Sequence, residues 1–249
     1  MTVTPAPDIP ARDRIFVGLD TADVEKAARL ARLLAGAVGG VKIGKEFFTA
    51  QGPDGVRAAI GGAPLFLDLK FHDIPNTVAG AVRAAVHLRP KIVNVHASGG
   101  RAMMEAAATA AREAAEELDV ERPRVIGVTV LTSLDAGDLE EVGQKGPPEA
   151  QVERLALLAQ ASGLDGVVCS PKEIARLRKA CGPEFLLVVP GIRPSWSAAG
   201  DQKRIMTPAE AVAAGADILV IGRPITGADD PLAAAQRIGA ELDAAPVGA

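Results

Sequence analysis

The chain has 249 residues, with 27 lysines and arginines against 31 aspartates and glutamates and a formal net charge of −4, which excludes an extended basic surface for nucleic acid. At 48% hydrophobic and 23% charged residues it has the composition of an ordinary globular protein, which excludes disorder over most of its length. Charged residues interrupt every apolar run before the roughly 18 to 20 residues a membrane-spanning helix needs, so a soluble protein without a membrane partner is expected.

In chain order, Met1 to Arg14 carries three prolines and two aspartates but no cationic segment followed by an apolar one. Residues 1–13 therefore read as a short flexible arm and not as a secretory leader. Short β-rich apolar runs follow, at Arg14 to Leu19, Gly40 to Gly44, Leu65 to Leu69, Ile92 to His96, Arg124 to Thr129, Gly166 to Cys169, Phe185 to Val189 and Ile218 to Ile221. Helical patterns alternate with them at Asp23 to Leu34, Phe47 to Ile60, Asn76 to Leu88, Arg101 to Leu118, Gln151 to Ala161, Lys172 to Ala180, Pro208 to Ala214 and Pro231 to Leu242. Arg101 to Leu118 is rich in the best helix formers, whereas Gly52, Pro53 and Gly55 predict a break in Phe47 to Ile60. Residues 243–249 read as a flexible tail. Cys169 and Cys181 have neither a CxxC spacing nor a nearby histidine, which argues against zinc and against a disulfide framework and makes a reducing cytoplasm the expected setting.

Strict alternation of strand and helix implies parallel strands joined by right-handed crossovers. Eight such units in about 250 residues is the arithmetic of a closed (β/α)8 barrel, a TIM barrel, here a single domain over residues 14–242. An open doubly wound sheet is the alternative, but Val17-Gly18-Leu19-Asp20 leads straight into a helix without the glycine fingerprint of a dinucleotide site.

A barrel delivers its reactive groups from the C-terminal strand ends. Those ends carry Asp20, Lys42, Asp68 with Lys70, His96, Thr129 to Ser133, Ser170, Arg193, and Gly222 with Arg223. Helix capping accounts for Ser170 before Pro171. It does not account for Lys42, Lys70 or Arg223, because the dipole at a helix start repels cations. The densest group is Phe66-Leu67-Asp68-Leu69-Lys70-Phe71-His72-Asp73-Ile74-Pro75-Asn76-Thr77. Asp68 and Lys70 are two apart on a strand and so share a face, with Asp73 following on the loop. Alternating charges at the end of an apolar strand are costly unless paired, which favours a functional role.

These residues carry a resemblance. Asp68 to Val78, DLKFHDIPNTV, is similar to the signature of the orotidine 5'-phosphate decarboxylase family, and further blocks match in the same order. They are Val17 to Asp20, Val41 to Gly44, Val93 to Gly100, Val128 to Ser133, Pro190 to Arg193, Asp201 to Arg204 and Ile221 to Pro224, so that the match spans roughly Arg14 to Leu242.

The resemblance implies a cofactor-free decarboxylation of a pyrimidine nucleotide. Lys42, Asp68 and Lys70 would form a charge network with Asp73 from the second subunit of a homodimer, and Lys70 would be the proton donor. An ammonium at the reacting carbon can stabilise a carbanion that no carbonyl or cofactor delocalises. Asp68 would face the substrate carboxylate and hold Lys70. Asp20 and Lys42 match ribose ligands, as does Thr77 across the dimer interface. Thr132 matches a contact near the ring, and Gln202, Gly222 and Arg223 match the phosphate site with Arg193 nearby. Independently, the late loops of a barrel and a short helix N-terminus commonly bind phosphate.

The stretch from Gly191 to Lys203 has no helical or strand period and reads as a mobile loop; in the family it closes over the phosphate. It contains Trp196, the single tryptophan. His72 and His96 adjoin the active positions but read as structural imidazoles, and His87, late in a helix, as a favourable C-terminal partner. No His/Asp/Glu grouping has metal spacing. Magnesium-dependent sugar-phosphate relatives share the D-x-K-x-x-D core but lack the Ile74 to Thr77 continuation. A barrel that only binds a phosphorylated metabolite would not need the Lys70 network, and imine chemistry at Lys70 would call for an apolar or cationic setting, the opposite of flanking aspartates.

Overall fold

The computed structural model describes residues 9–197 and 206–244. Its strands are β1 (Ile15–Gly18), β2 (Gly40–Gly44), β3 (Leu65–Phe71), β4 (Ile92–His96), β5 (Arg124–Val128), β6 (Gly166–Val168), β7 (Leu186–Pro190) and β8 (Ile218–Ile221). Each pairs in parallel with the next, and β8 pairs back with β1 to close the barrel. The open doubly wound sheet is thereby set aside.

The helices are α1 (Val24–Leu33), α2 (Lys45–Ile60), α3 (Pro75–Val86), α4 (Arg101–Leu118), α5 (Ala136–Glu141), α6 (Pro148–Ala161), α7 (Ile174–Cys181), α8 (Pro208–Ala213), α9 (Arg223–Thr226) and α10 (Pro231–Ala244). Asp23 caps α1 by accepting from the Lys26 N–H. The expected break in α2 falls at Gly52, whose φ of 61° and ψ of −170° only glycine adopts at low cost, just before Pro53. α6 begins earlier than its pattern, with Pro148 at the first helical position, where no N–H is required. The periodicity did not anticipate α5 and α9. At six and four residues they are too short to show a period, and α5 rests on the reciprocal capping of Asp135 and Asp138.

A 3-10 turn at Ala11–Arg14 precedes β1. Residues 1–8 of the arm and 245–249 of the tail lie outside the described residues.

Strand alternation sorts the core into two layers. Val17, Ile43, Leu67 and Val93 belong to the large cluster shared with the helices. The alternate positions Phe16, Phe66, Ile92, Ile126, Val188 and Ile218 form a separate cluster inside the barrel. Phe16 and Phe66 meet edge to face at 6.5 Å, and Gly40 is required beside them, since a Cβ there would lie 2.6 Å from the Phe16 ring. This apolar plug fills the lower barrel. One step further along the same faces come Lys42, Asp68 and Asn94, so the polar layer stands on a dry floor.

Candidate active site

Asp68 is the hub. Its Oδ1 lies 2.5 Å from the Lys70 ammonium and its Oδ2 lies 3.2 Å from that of Lys42. Lys42 lies 3.8 Å from the Asp20 carboxylate beyond β1. Asp68 is 9% exposed, and its burial by itself would raise its pKa. The ammoniums of Lys42 and Lys70, with hydrogen bonds from Lys70 and Asn94, outweigh that and hold the carboxylate below its ordinary range. The anion is therefore kept charged between two cations.

The strand bends to make this possible. Leu67 registers with Val93 and Phe71 with Val95, so residues 68–70 of β3 stand opposite Asn94 alone. The bulge places Lys70 in the left-handed region at φ 52°, a conformation costing roughly 1 to 2 kcal/mol for a residue with a Cβ. Strain of this kind gathers where a side chain must be re-aimed. Here it turns Lys70 back onto Asp68.

Asn94 is the residue that sequence reasoning missed. It is fully buried, its Nδ2 donates to Asp68 Oδ1 at 2.7 Å, and its Oδ1 accepts from the Lys70 backbone N–H at 2.7 Å. The available signal was an amide in the middle of the apolar strand Ile92-Val93-Asn94-Val95, where a polar side chain requires partners.

Asp20, Lys42, Lys45, Asp68, Lys70 and Leu131 line a cavity of about 370 Å³ at the mouth. Thr132 follows Leu131 on the exposed loop after β5. A second cavity, of about 350 Å³, lies beyond the ends of β7 and β8 and contains Arg193, Trp196, Ser197 and Arg223. Arg193 is buried, and its N–H donates to the Met206 carbonyl across the base of the loop. Gly222 caps α9, and a Cβ on it would lie 3.4 Å from Asp20 Oδ2, so the residue before Arg223 packs close to the Asp20 carboxylate of the first cavity. Gln202 and the part of the Gly191 to Lys203 loop beyond Ser197 lie outside the described residues. Trp196 is half-buried against α10, with the Arg237 guanidinium 4.7 Å from its ring centroid.

Asp73 and Thr77 are not brought to Lys70 within the chain. Residues His72 to Thr77 form an exposed run, with Ile74 67% exposed. Among the described residues Asp73 makes no ion pair, and its Oδ1 accepts from the Ile74 N–H at 2.7 Å.

The His72 and His96 rings lie 5.3 Å apart. Burial, then the neighbouring His72, Lys45 and Lys70, lower the His96 pKa to about 4, so its imidazole is neutral at physiological pH. His87 is the C-cap of α3. The Ser170 N–H donates to the Glu173 carboxylate, in keeping with a capping role. Both cysteines are buried and free, and among the described residues no cluster of His, Cys, Asp or Glu could hold a metal ion. No helix among them is long and apolar enough to cross a membrane.

A closed parallel barrel with paired lysines and carboxylate at its C-terminal mouth, beside a cavity carrying two arginines, defines a (β/α)8-barrel enzyme. Residues 13–238 match the model of the orotidine 5'-phosphate decarboxylase / HUMPS family, and the chain belongs to that family. It is 57% identical over 229 residues to the orotidine 5'-phosphate decarboxylase of Paramagnetospirillum magneticum, covering 92% of this chain and 97% of that protein. It is 56% identical over 236 residues to that of Rhodospirillum rubrum, covering 94% and 96%. The crystal structure of orotidine 5'-phosphate decarboxylase from Lactobacillus acidophilus superposes with a TM-score of 0.82 at 37% identity, covering 92% of this chain and 99% of that one.

Proposed function

We propose that the chain decarboxylates orotidine 5'-monophosphate to uridine 5'-monophosphate in de novo pyrimidine synthesis, without a cofactor, as a cytoplasmic homodimer. The observation that carries this reading is the Lys42–Asp68–Lys70 network at the mouth of a barrel of this family. In the reaction the bond between carbon 6 and the carboxylate breaks, carbon dioxide leaves, and the electron pair stays on carbon 6. The Lys70 ammonium stabilises that charge and gives carbon 6 its proton; the neutral amine then recovers a proton from solvent. Asp68 holds the ammonium in place and faces the departing carboxylate.

Asp20 and Lys42 bind the ribose hydroxyls, Thr132 lies near the ring, and Arg193, Gly222, Arg223 and Gln202 take the phosphate. The two cavities support this division, since one carries the acid-base network and the other two arginines. Asp73 and Thr77 complete the site of a second subunit. Their exposure beside the apolar Ile74 supports that assignment, because an uncovered isoleucine of this kind suits an interface. Phosphate binding at a distance from carbon 6 supplies energy that assembles the reacting centre.

Following the loss of orotidine monophosphate absorbance with the purified chain, with and without a chelator, tests substrate, reaction and metal independence together. Turnover unaffected by the chelator is expected. No turnover, or turnover abolished by the chelator, overturns the reading. Mixing Lys70→Ala and Asp73→Asn chains, each inactive alone, tests the shared site, because half of the sites in hybrid dimers regain every wild-type group. If subunits exchange and activity does not return, Asp73 does not cross the interface.

A further inference from the structure

We propose that Asn94 is a positioning residue for the reacting ammonium, one amide fixing both the Asp68 carboxylate and the left-handed backbone of Lys70; this rests on the decarboxylase reading. Three observations converge on it. Asn94 is fully buried at the centre of β4, on the barrel-interior face that carries Ile92 below it. Its Nδ2 donates to the same Asp68 Oδ1 that receives the Lys70 ammonium, the two contacts being 2.7 and 2.5 Å long. Its Oδ1 accepts the Lys70 N–H at 2.7 Å, at the point where the bulge has removed that group from regular strand pairing.

The amide is suited to both tasks at once. Turned end for end, it would press its oxygen against a carboxylate oxygen and its NH2 against an N–H, so the hydrogen-bond pattern leaves one orientation. A carboxylate or an ammonium at this position could supply only one half of the pattern at neutral pH. The amide donates to an anion and accepts from a backbone donor without adding charge to a site where each charge is already matched. Its effect on chemistry is indirect. By accepting from the Lys70 N–H it stabilises the φ of 52° that returns the lysine side chain over Asp68. By donating to Asp68 it restrains the carboxylate against which that ammonium rests.

Asp68 faces Lys42 from β2 and Lys70 from its own strand, with Asp20 beyond Lys42 and His96 at the end of β4. None of these groups can replace the contact to the Lys70 N–H.

Two variants test the proposal. In Asn94→Leu, kcat falls about 10- to 100-fold while uridine monophosphate affinity changes less than about threefold, because the reacting atoms lose their alignment and the phosphate and ribose ligands do not. In Asn94→Asp the acceptor for Lys70 remains and the donor to Asp68 returns only when the two carboxylates share a proton. Relative to wild type at each pH, its kcat therefore rises as the pH falls from about 6 toward about 4, the range in which a carboxylate pair takes its first proton. Near-wild-type kcat in both folded variants overturns the proposal. So does a parallel loss of kcat and nucleotide affinity, which marks general loosening, or an Asn94→Asp profile that follows wild type. Should Asn94→Leu fail to fold, Asn94→Asp decides alone. If the wild-type chain does not turn over orotidine monophosphate, the decarboxylase reading fails by itself. Hydrogen exchange at the Lys70 N–H then decides the positioning claim: exchange faster in Asn94→Leu than in both wild type and Asn94→Asp supports it, and equal rates in all three reject it.

Discussion

The two ends of the barrel both bury charge, and they do so differently. At the N-terminal end Arg178, 3% exposed, spends every guanidinium nitrogen inside the chain: on the carbonyls of Gly182, Pro183, Phe185 and Gly215, and on Asp217 at 2.5 Å. Asp217, 0% exposed, also accepts from the Leu187 N–H. Arg122 meets both oxygens of Asp165, which takes the Val125 N–H as well. These pairs tie the loops below β5 to β8 together. At the C-terminal mouth, by contrast, the lysines keep part of their surface open to a cavity and one of them sits on strained backbone. The Arg178 guanidinium, with its nitrogens committed inside the chain, holds the fold, whereas the lysines left with spare capacity at the mouth cavity are available to a ligand.

Substitution at each end should therefore read out differently. The largest expected effect is at the mouth: Lys70→Ala lowers turnover by more than about a thousandfold and shifts unfolding free energy by less than about 1 kcal/mol, with uridine monophosphate still bound. Steady-state kinetics and urea denaturation check the pair of outcomes, and a stability loss larger than that would erase the contrast. Next comes the floor. Arg178→Met leaves the buried Asp217 without its hydrogen-bonded cation, with Arg14 still near it, and costs about 3 kcal/mol of stability, while kcat per folded molecule stays at the wild-type level. A fall in kcat at full folding would mean that the floor takes part in the chemistry.

Arg223→Ala sharpens the division within the mouth itself. It should weaken uridine monophosphate binding about 10- to 100-fold, the worth of charge-assisted hydrogen bonds to a phosphate, with partial recovery of turnover of the truncated nucleoside when phosphite is added. Calorimetric affinity unchanged from wild type would remove Arg223 from the phosphate site.

The smallest effect concerns His96. Its folded pKa is about 4 against an ordinary 6.5, so between those values the unfolded chain binds the extra proton. Its contribution to stability is complete above pH 6.5 and is lost as the pH falls toward 4. His96→Gln should flatten the pH dependence of the melting temperature over that window, and an unaltered slope would show that the imidazole is not held neutral by the fold.

Much of this was legible in advance, and the exceptions share a cause. Every strand was found to within a residue or two, because apolar runs of that length punctuated by helical periods leave little choice. β3 ran two residues further than its apolar run, to Phe71, since a bulge can carry a charged residue such as Lys70 within a strand that composition would end before it. Asp68 and Lys70 were singled out by the cost of charge at the end of an apolar strand, and Lys42 because a cation has no capping role at a helix start. Asn94 was not, because a single neutral amide carries no such alarm until its neighbours in space are known. Arg178 and Asp217 were missed for a related reason: 39 residues separate them, and nothing local joins them.

By itself, then, the sequence determined the alternation of strand and helix, the closure into eight units and the side of the barrel on which reactive groups collect, because all three follow from periodicity along the chain. Only the tertiary structure decided the left-handed turn at Lys70, its tether to Asn94, the saturation of Arg178 and the approach of Gly222 to Asp20. Each of these depends on groups from different strands approaching within hydrogen-bonding or van der Waals distance, and that distance is set by barrel register and bulge geometry, which no local pattern of residues encodes.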